Sequence, residues 1–352
     1  MKRLFDQSIT TKLLLLFLFV GIITMLTVGI YSFHQARKAI NSRTLDQLIS
    51  VRAVKRQQVE YFFNEKFKNL SSLSRNEHLG LIFNSNSPGL HSPLSRQSLE
   101  VLRNYYTAYG FTNLYIVSFR FQPPGIEVAD TVAMHGMTVE MLHQINSISK
   151  KAMPVDEAIV SDLFFSHPTD SLPICLIAHR VLSDNGDVSG IVIFEISSKD
   201  INRIMLQDNR QMGLGNSGET YLLGSDHIMR SASRFINGAV LRVRGQSNAV
   251  DNAIHGLTGS IVTTDYRGIK VFSAYEPVRI KGLQWIVLAE IDYAEAMIPV
   301  TSLRNDIVLV SLIITILILG FAQIITKMIT QPLIQLKKAA TLLGNGDFSH
   351  EV

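Results

Sequence analysis

The chain has 352 residues, 47% hydrophobic and 18% charged, with a net charge of +4, ten histidines and one cysteine. So apolar a chain is not disordered, and a lone thiol builds neither an internal disulfide nor a cysteine-rich zinc centre. The basic excess, with a pI near 9.1, comes without a basic run interleaved with aromatics, so no nucleic-acid partner is expected.

Two blocks hold most of the apolar excess. Leu13 to Phe33 is 21 residues without a charge, and Ile307 to Thr326 is 20. At about 1.5 Å per residue, each helix would cross a hydrocarbon core of roughly 30 Å. The first is long for the apolar region of a signal peptide, and no A-x-A cleavage site follows it. The second is long for a buried core helix. Lys2, Arg3 and Lys12 precede the first block, and Lys327, Lys337 and Lys338 follow the second. The positive-inside rule puts both ends in the cytoplasm. Arg37, Lys38 and Arg43 run against the rule, but a loop this long is translocated largely regardless of charge. The expected order is a cytoplasmic N-terminus at 1–12, a span at 13–33, an extracytoplasmic segment at 34–305, a span at 306–327 and a cytoplasmic segment at 328–352.

From 34 to about 80 the pattern stays helical. Leu45, Leu48, Val51, Val59, Phe62, Phe63, Phe67, Leu70 and Leu73 recur at mostly three- and four-residue gaps. Arg52, Lys55, Arg56, Glu60, Glu65 and Lys66 are expected on the opposite face. The stripe packs on its own domain, and a dimer seam along the same helix stays open because the heptad is irregular.

Residues 81–205 and 206–300 read as two subdomains. In the first, Ser98 to Tyr109 and Thr138 to Lys151 read as helices. Phe111 to Phe119, Pro173 to Leu182 and Val188 to Ile196 read as strands, the last two joined by a turn at Ser183-Asp-Asn-Gly-Asp187. In the second, Glu219 to Leu223, Ile228 to Ser231, Ser260 to Asp265, Ile269 to Tyr275 and Gln284 to Glu290 read as strands. Clustered strands without βαβ alternation make the class α+β: a long N-terminal helix and two antiparallel-sheet subdomains between two transmembrane helices. Cys175, in the apolar run Leu172 to Ala178, is expected in the core, as are Trp285 and Tyr275.

Gly213-Leu-Gly-Asn-Ser-Gly218 matches G-x-G-x-x-G. A dinucleotide site needs a strand before these glycines and a helix after them. Here a polar helical stretch precedes them and the strand from Glu219 follows, so the glycines are read as turns. The chain has no P-loop, no G-x-S-x-G elbow and no H-E-x-x-H. His135 and His143 are eight apart and are not read as a metal pair. No catalytic residue, metal or cofactor is expected, and an extracytoplasmic enzyme on two anchors is disfavoured for lack of a catalytic cluster.

The segment Gly213 to Phe235, GLGNSGETYLLGSDHIMRSASRF, resembles the signature of the membrane-proximal half of double-Cache sensor domains from bacterial transmembrane receptors. Ile159-Val-Ser-Asp162 followed by Pro173 to Arg180 resembles the end of the distal half. Ser273 to Pro277, Leu283 to Trp285 and Ala289 to Asp292 resemble the closing strands. Ala232 stands where such sequences commonly have an acid, and His227 where the turn residue is usually smaller or neutral. Ile329 to Asp347 resembles the first helix of a HAMP linker, with Pro332 near its start and Leu333, Leu336, Ala340 and Leu343 as a seam.

The resemblance implies two PAS-like subdomains and a small-molecule pocket in the distal one. Ligand-binding candidates are Tyr115, Arg120, Asp162, Phe165 and Ser166. Asp162 is read either as a partner for a ligand ammonium or as a turn aspartate. Arg120 is read either as a carboxylate clamp or as a solvated arginine. Arg230 and Arg234 suit either an anion in the proximal half or internal bonding. The function expected from the resemblance is a two-span, homodimeric receptor of the bacterial inner membrane, with a periplasmic sensor. It would bind a small solute and signal through the second span and the HAMP helix to a cytoplasmic partner, as chemoreceptors do, without being an enzyme itself. The input half of a sensor histidine kinase or nucleotide cyclase, its output domain missing, stays open.

Overall fold

The structure, a computed structural model, describes residues 9–75, 100, 103–105, 107–118, 125–128, 139–150, 157–167, 169–182, 186–207, 212–325, 328 and 331–344. In chain order the elements are α1 (Ile9–Ser74), β1 (Asn113–Ser118), β2 (Gly125–Val128), α2 (Val139–Lys150), β3 (Ile159–Val160), β4 (Ile174–Leu182) and β5 (Val188–Ser197). There follow α3 (Ser198–Leu206), β6 (Glu219–Gly224), α4 (Asn248–Ile254), β7 (Gly259–Thr264), β8 (Lys270–Pro277), β9 (Trp285–Asp292), α5 (Tyr293–Ala296), α6 (Ile298–Ile325) and α7 (Gln331–Gly344). Contacts divide the chain into two compact units, Thr44–Glu295 and the pair of segments Met1–Arg43 and Ala296–Val352.

In the second of these units, α6 and the first part of α1 are long and apolar enough to cross a membrane, and almost none of either apolar stretch is buried. Leu16, Phe19, Ile30, Leu312, Leu317 and Phe321 are all exposed, the opposite of core helices in a water-soluble protein. The two helices approach at Gly21 and Gly29. A Cβ on Gly21 would lie 2.7 Å from Ile318 Cδ1, the close approach that small residues allow between membrane helices.

The Thr44–Glu295 unit holds two antiparallel sheets, ordered β2-β1-β5-β4-β3 and β6-β9-β8-β7. One core runs through both. Val59, Phe63, Leu70 and Leu73 of α1 pack with Leu114, Cys175, Val192 and Phe194 of the distal sheet, and with Leu222, Trp285 and Val287 of the proximal one. The other face of each sheet has its own smaller core. Met141, Ile145 and Ile148 of α2 cover Leu176, Ala178, Ile191 and Ile193. Ala249, Val250 and Ala253 of α4 cover Tyr221, Tyr275 and Leu288. Cys175 is wholly buried, and burial pushes its thiol far above the ordinary range.

Three differences from the sequence expectation have physical reasons. Arg52, Lys55 and Lys66 of α1 point inward, not to solvent. Lys55 Nζ donates to the carbonyls of Ile204 (2.6 Å) and Gln207 (2.7 Å), where α3 runs out of backbone partners. Lys66 does the same for Tyr109 and Gly110 and lies 4.6 Å from the Phe111 ring. Arg52 reaches the carbonyls of Gly259 and Tyr275 and pairs with Glu276 at 3.2 Å. Second, Ile228 to Ser231 is not a strand. The chain folds back on β6 through Gly224 N to Ile228 O (2.9 Å) and Arg230 N to Leu222 O (2.8 Å), with His227 at φ +66°, so only isolated bridges form. Third, β2, β3 and α4 are too short to show a period in the sequence, and all three are present. Residues 76–80 of the expected long helix and 183–185 of the expected hairpin turn lie outside the described residues.

Candidate functional site

Strand parity decides which side chains reach the distal sheet's α2-covered face. Asn113 pairs with Glu195, and Glu195 with Leu176; two residues along, Tyr115 pairs with Ile193. That face is a wall of Ile174, Leu176, Ala178, Ile191 and Ile193, with Phe164 packed on it. Into the wall are set an amide, a phenol and a carboxylate. The Tyr115 hydroxyl donates to Glu195 Oε2 at 2.8 Å, and Asn113 Nδ2 donates to the same oxygen at 2.9 Å. Burial, with the Glu195 charge adding to it, pushes the Tyr115 phenol well above its ordinary value, so it stays a donor. Among the described residues no hydrogen bond reaches Glu195 Oε1. A few converging polar groups on an apolar wall are what a small-molecule pocket needs, and a carboxylate among them suits a cation.

The other sequence candidates lie elsewhere. Arg120 is outside the described residues. Asp162, after β3, and Arg230, after β6, bind each other, which for Arg230 is the internal-bonding alternative. Arg230 Nε and Nη2 donate to the two Asp162 oxygens at 2.9 and 2.8 Å, a bidentate pair. Trp285 Nε1 (2.9 Å) and Leu163 N (2.7 Å) also donate to Asp162 Oδ1, and Asp226 Oδ2 takes a further Arg230 N–H at 2.8 Å. Burial opposes the Arg230 charge, but these two carboxylates outweigh it and hold the guanidinium above its ordinary value. Trp285 also packs edge-on against Phe63 of α1, centroids 5.6 Å apart. Asp162 therefore staples the distal loop to the proximal half.

Phe165 is half-buried, with the Arg242 guanidinium 5.1 Å from its ring. The Ser166 hydroxyl donates to Asp170 Oδ2 at 2.5 Å, inside its own loop. Arg234 bonds the Gly218 carbonyl, and its backbone N–H donates to Glu219 at 3.1 Å. Of the ligand candidates among the described residues, only Tyr115 stands on the face beside Glu195.

The glycine-rich segment holds an anion of the protein's own. Gly213 and Gly215 adopt φ of +76° and +61°, which turns the following N–H groups toward one point. There the Glu295 carboxylate accepts from Asn216 N (2.9 Å), Ser217 N (2.7 Å) and the Ser217 hydroxyl. Gln47 of α1 holds the other side, donating to the carbonyls of Met212 (3.1 Å) and Gly213 (2.7 Å).

A family model described as a Cache domain (dCache_1) matches residues 34–300, three quarters of the chain. This chain belongs to the Cache-domain family. A curated relative, a probable chemoreceptor (y4sI) of Sinorhizobium fredii, is 26% identical over 201 residues, 56% of this chain and 25% of that protein. The Cache chain thus spans about a quarter of that relative. Among solved structures, the periplasmic sensory domain of the Campylobacter jejuni chemoreceptor Tlp1 superposes with a TM-score of 0.51 at 15% identity, covering 74% of this chain and 99% of that one. The ligand-binding domain of the Pseudomonas aeruginosa amino-acid chemoreceptor PctC, in complex with GABA, gives 0.49 at 15% identity, covering 69% and 97%.

Sequence reasoning missed Glu195 and Asn113 of this Cache sensor. The signal was there: Glu195 is the one charge in the strand Val188–Ser197. A lone acid inside an apolar strand is buried with partners or at a site.

Proposed function

We propose that the chain is the input portion of a transmembrane signalling receptor whose distal half binds a small solute bearing an ammonium group. The observation that carries this is the Asn113–Tyr115–Glu195 cluster on the distal face, in a Cache unit with candidate membrane helices before and after it. Glu195 would pair with the ammonium, Tyr115 and Asn113 would fix the carboxylate, and Arg120 is the proposed clamp for an acidic group on the same solute. Phe165 and Ser166 lie in the loop that follows Asp162. The receptor sits in the bacterial inner membrane with residues 34–305 outside the cytoplasm. Two copies pair along α1, where Val54 and Tyr61, one heptad apart, are exposed.

Signal passes from β9 through α5 to α6, then to α7, whose Pro332, Leu333, Leu336, Ala340 and Leu343 form the proposed HAMP seam. Binding shifts this path only if solute affinity differs between two packings. The test is calorimetric titration of the full chain in lipid nanodiscs with amino acids and simple amines. Wild type should bind at least one, and Glu195→Gln should bind it at least about tenfold more weakly, the scale of one lost ion pair. Equal affinity in the variant sinks the site.

A further inference from the structure

The proximal sheet carries two carboxylates that the distal site does not use. Glu219 of β6 and Glu290 of β9 face each other directly in the register, and each is 1% exposed. Side chains so paired share a face, with Cβ atoms about 5 Å apart. Tyr266 donates to Glu219 Oε1, while the Ser233 hydroxyl and Arg234 N donate to Oε2, both at 3.1 Å. Tyr221 donates to Glu290 Oε2 at 2.8 Å. Glu290 Oε1 is buried and completes no hydrogen bond, and neither does the hydroxyl of Ser273, which faces Glu290 from β8.

The surroundings do not neutralise two charges. The nearby cation, Arg267 of the β7–β8 turn, is committed to Asp265 and Asp292, both at 2.6 Å. Tyr275 of β8 bonds Asn252. From α4 the buried groups are Ala249, Val250 and Ala253, while Asp251 is half-exposed and 3.8 Å from His227, and His255 bonds its own helix. Among the described residues, no cationic side chain forms an ion pair with Glu219 or Glu290.

We propose that the Glu219–Glu290 pair is a proton-binding site, and that gain or loss of this proton biases β9 and the segment it leads into. Two ionised carboxylates facing each other in a dry interior repel, and neither can be rehydrated without opening the sheet. One proton removes the conflict. Burial pushes the Glu290 carboxyl up to about 7, against the Ser273 and Tyr221 hydroxyls, which lower it, and with Asp265 and Glu219, which raise it. Burial raises Glu219 as well. Below the ordinary glutamate range the folded and unfolded chains both hold the proton. Between that range and about 7 only the folded chain does, so stability falls as pH rises through this window. By chain connectivity β9 runs into α5 and α6. Only that last link rests on the receptor reading above.

The test uses the full chain in lipid nanodiscs. Infrared difference spectra between about pH 5 and pH 8 follow protonated carboxyl groups across the range set by ordinary and raised carboxylate values. Wild type should lose one carboxyl band with a midpoint near neutrality, and Glu290→Gln should lack that band. Glu219→Gln should lower the midpoint by removing a like charge, and Ser273→Ala should raise it. These two variants decide the matter even if Glu290→Gln fails to fold. A wild-type midpoint in the ordinary carboxylate range, or one that neither variant moves, overturns the site. Disulfide formation between Gly29→Cys and Ile307→Cys reads the membrane helices. Its rate should change with pH in the wild-type background and stay flat with Glu290→Gln added. Rates that follow solute but ignore pH overturn this proposal alone; rates that ignore solute count against the receptor reading, and the infrared midpoint still judges the proton site.

Discussion

The distal and proximal halves place the same three positions in a row and fill them differently. In the distal sheet the row is Asn113, Glu195 and Leu176; in the proximal sheet it is Glu219, Glu290 and Ser273. In both, a tyrosine two residues along the first strand donates to the central glutamate at 2.8 Å, Tyr115 in one and Tyr221 in the other. The halves part at the flanks. An amide beside the distal acid can donate to it, as Asn113 does to Glu195. A second acid beside the proximal one cannot, so the pair holds a proton instead. On one scaffold, asparagine against glutamate on one flank and leucine against serine on the other thus separate the proposed solute site from the proposed proton site.

The largest effect should come from what the halves share. Trp285 is the only tryptophan, sits in the common core and bonds Asp162. Trp285→Ala should cost about 3–5 kcal/mol, the range for emptying a large aromatic site. Calorimetry of wild type should show the two halves melting together; two separate transitions would show that the common core does not couple them. Next comes Arg230→Ala, which leaves Asp162 and Asp226 facing each other without their cation. A loss of about 2–3 kcal/mol is expected, as for hydrogen bonds to charged groups. Arg230→Lys should recover less than half of it, because an ammonium cannot fork across both Asp162 oxygens.

The comparison itself can be inverted by swapping the flanking residue. Glu219→Asn gives the proximal row the distal amide, and it should abolish titration near neutrality while leaving the fold intact. Urea titrations of this variant should lose the fall in stability between about pH 5 and pH 7 that a raised carboxyl imposes. A fall that persists would assign it to another group.

How much of this the sequence reveals depends on length and parity. The long helix, the two apolar spans and the strands β4, β5, β8 and β9 each carry enough residues for their period to be read. The pairing of β5 with β1 cannot be read locally, and only that pairing sets Asn113 and Tyr115 beside Glu195. Asp162 and Arg230 are 68 residues apart, and nothing local announces their bond. Lys55 and Lys66 look like a solvated face because a sequence does not show which helix C-termini will arrive beside them. The glycines of 213–218 are legible as turns, but the acid they enclose comes from Glu295, beyond four more strands.

The smallest effect tests how the proximal half is closed. Glu295 accepts the N–H groups of Asn216 and Ser217 from a position just after β9. Burial alone would raise its carboxyl, but those N–H groups and the Ser217 hydroxyl outweigh it and hold the group below its ordinary value. A depressed carboxylate contributes stability that is complete above its ordinary value and is lost as pH falls through its folded value. Solvent reaches this group, so its contribution is modest. Glu295→Gln keeps one acceptor oxygen and should cost under about 1 kcal/mol; Glu295→Ala should cost about 1 kcal/mol or slightly more. Both should flatten the acid limb of the stability curve and leave the neutral limb set by Glu290 in place. If Glu295→Gln moved the neutral limb instead, the two carboxylates would be acting as one group, and the proximal half would hold a single electrostatic unit from the strand pair to the start of α5.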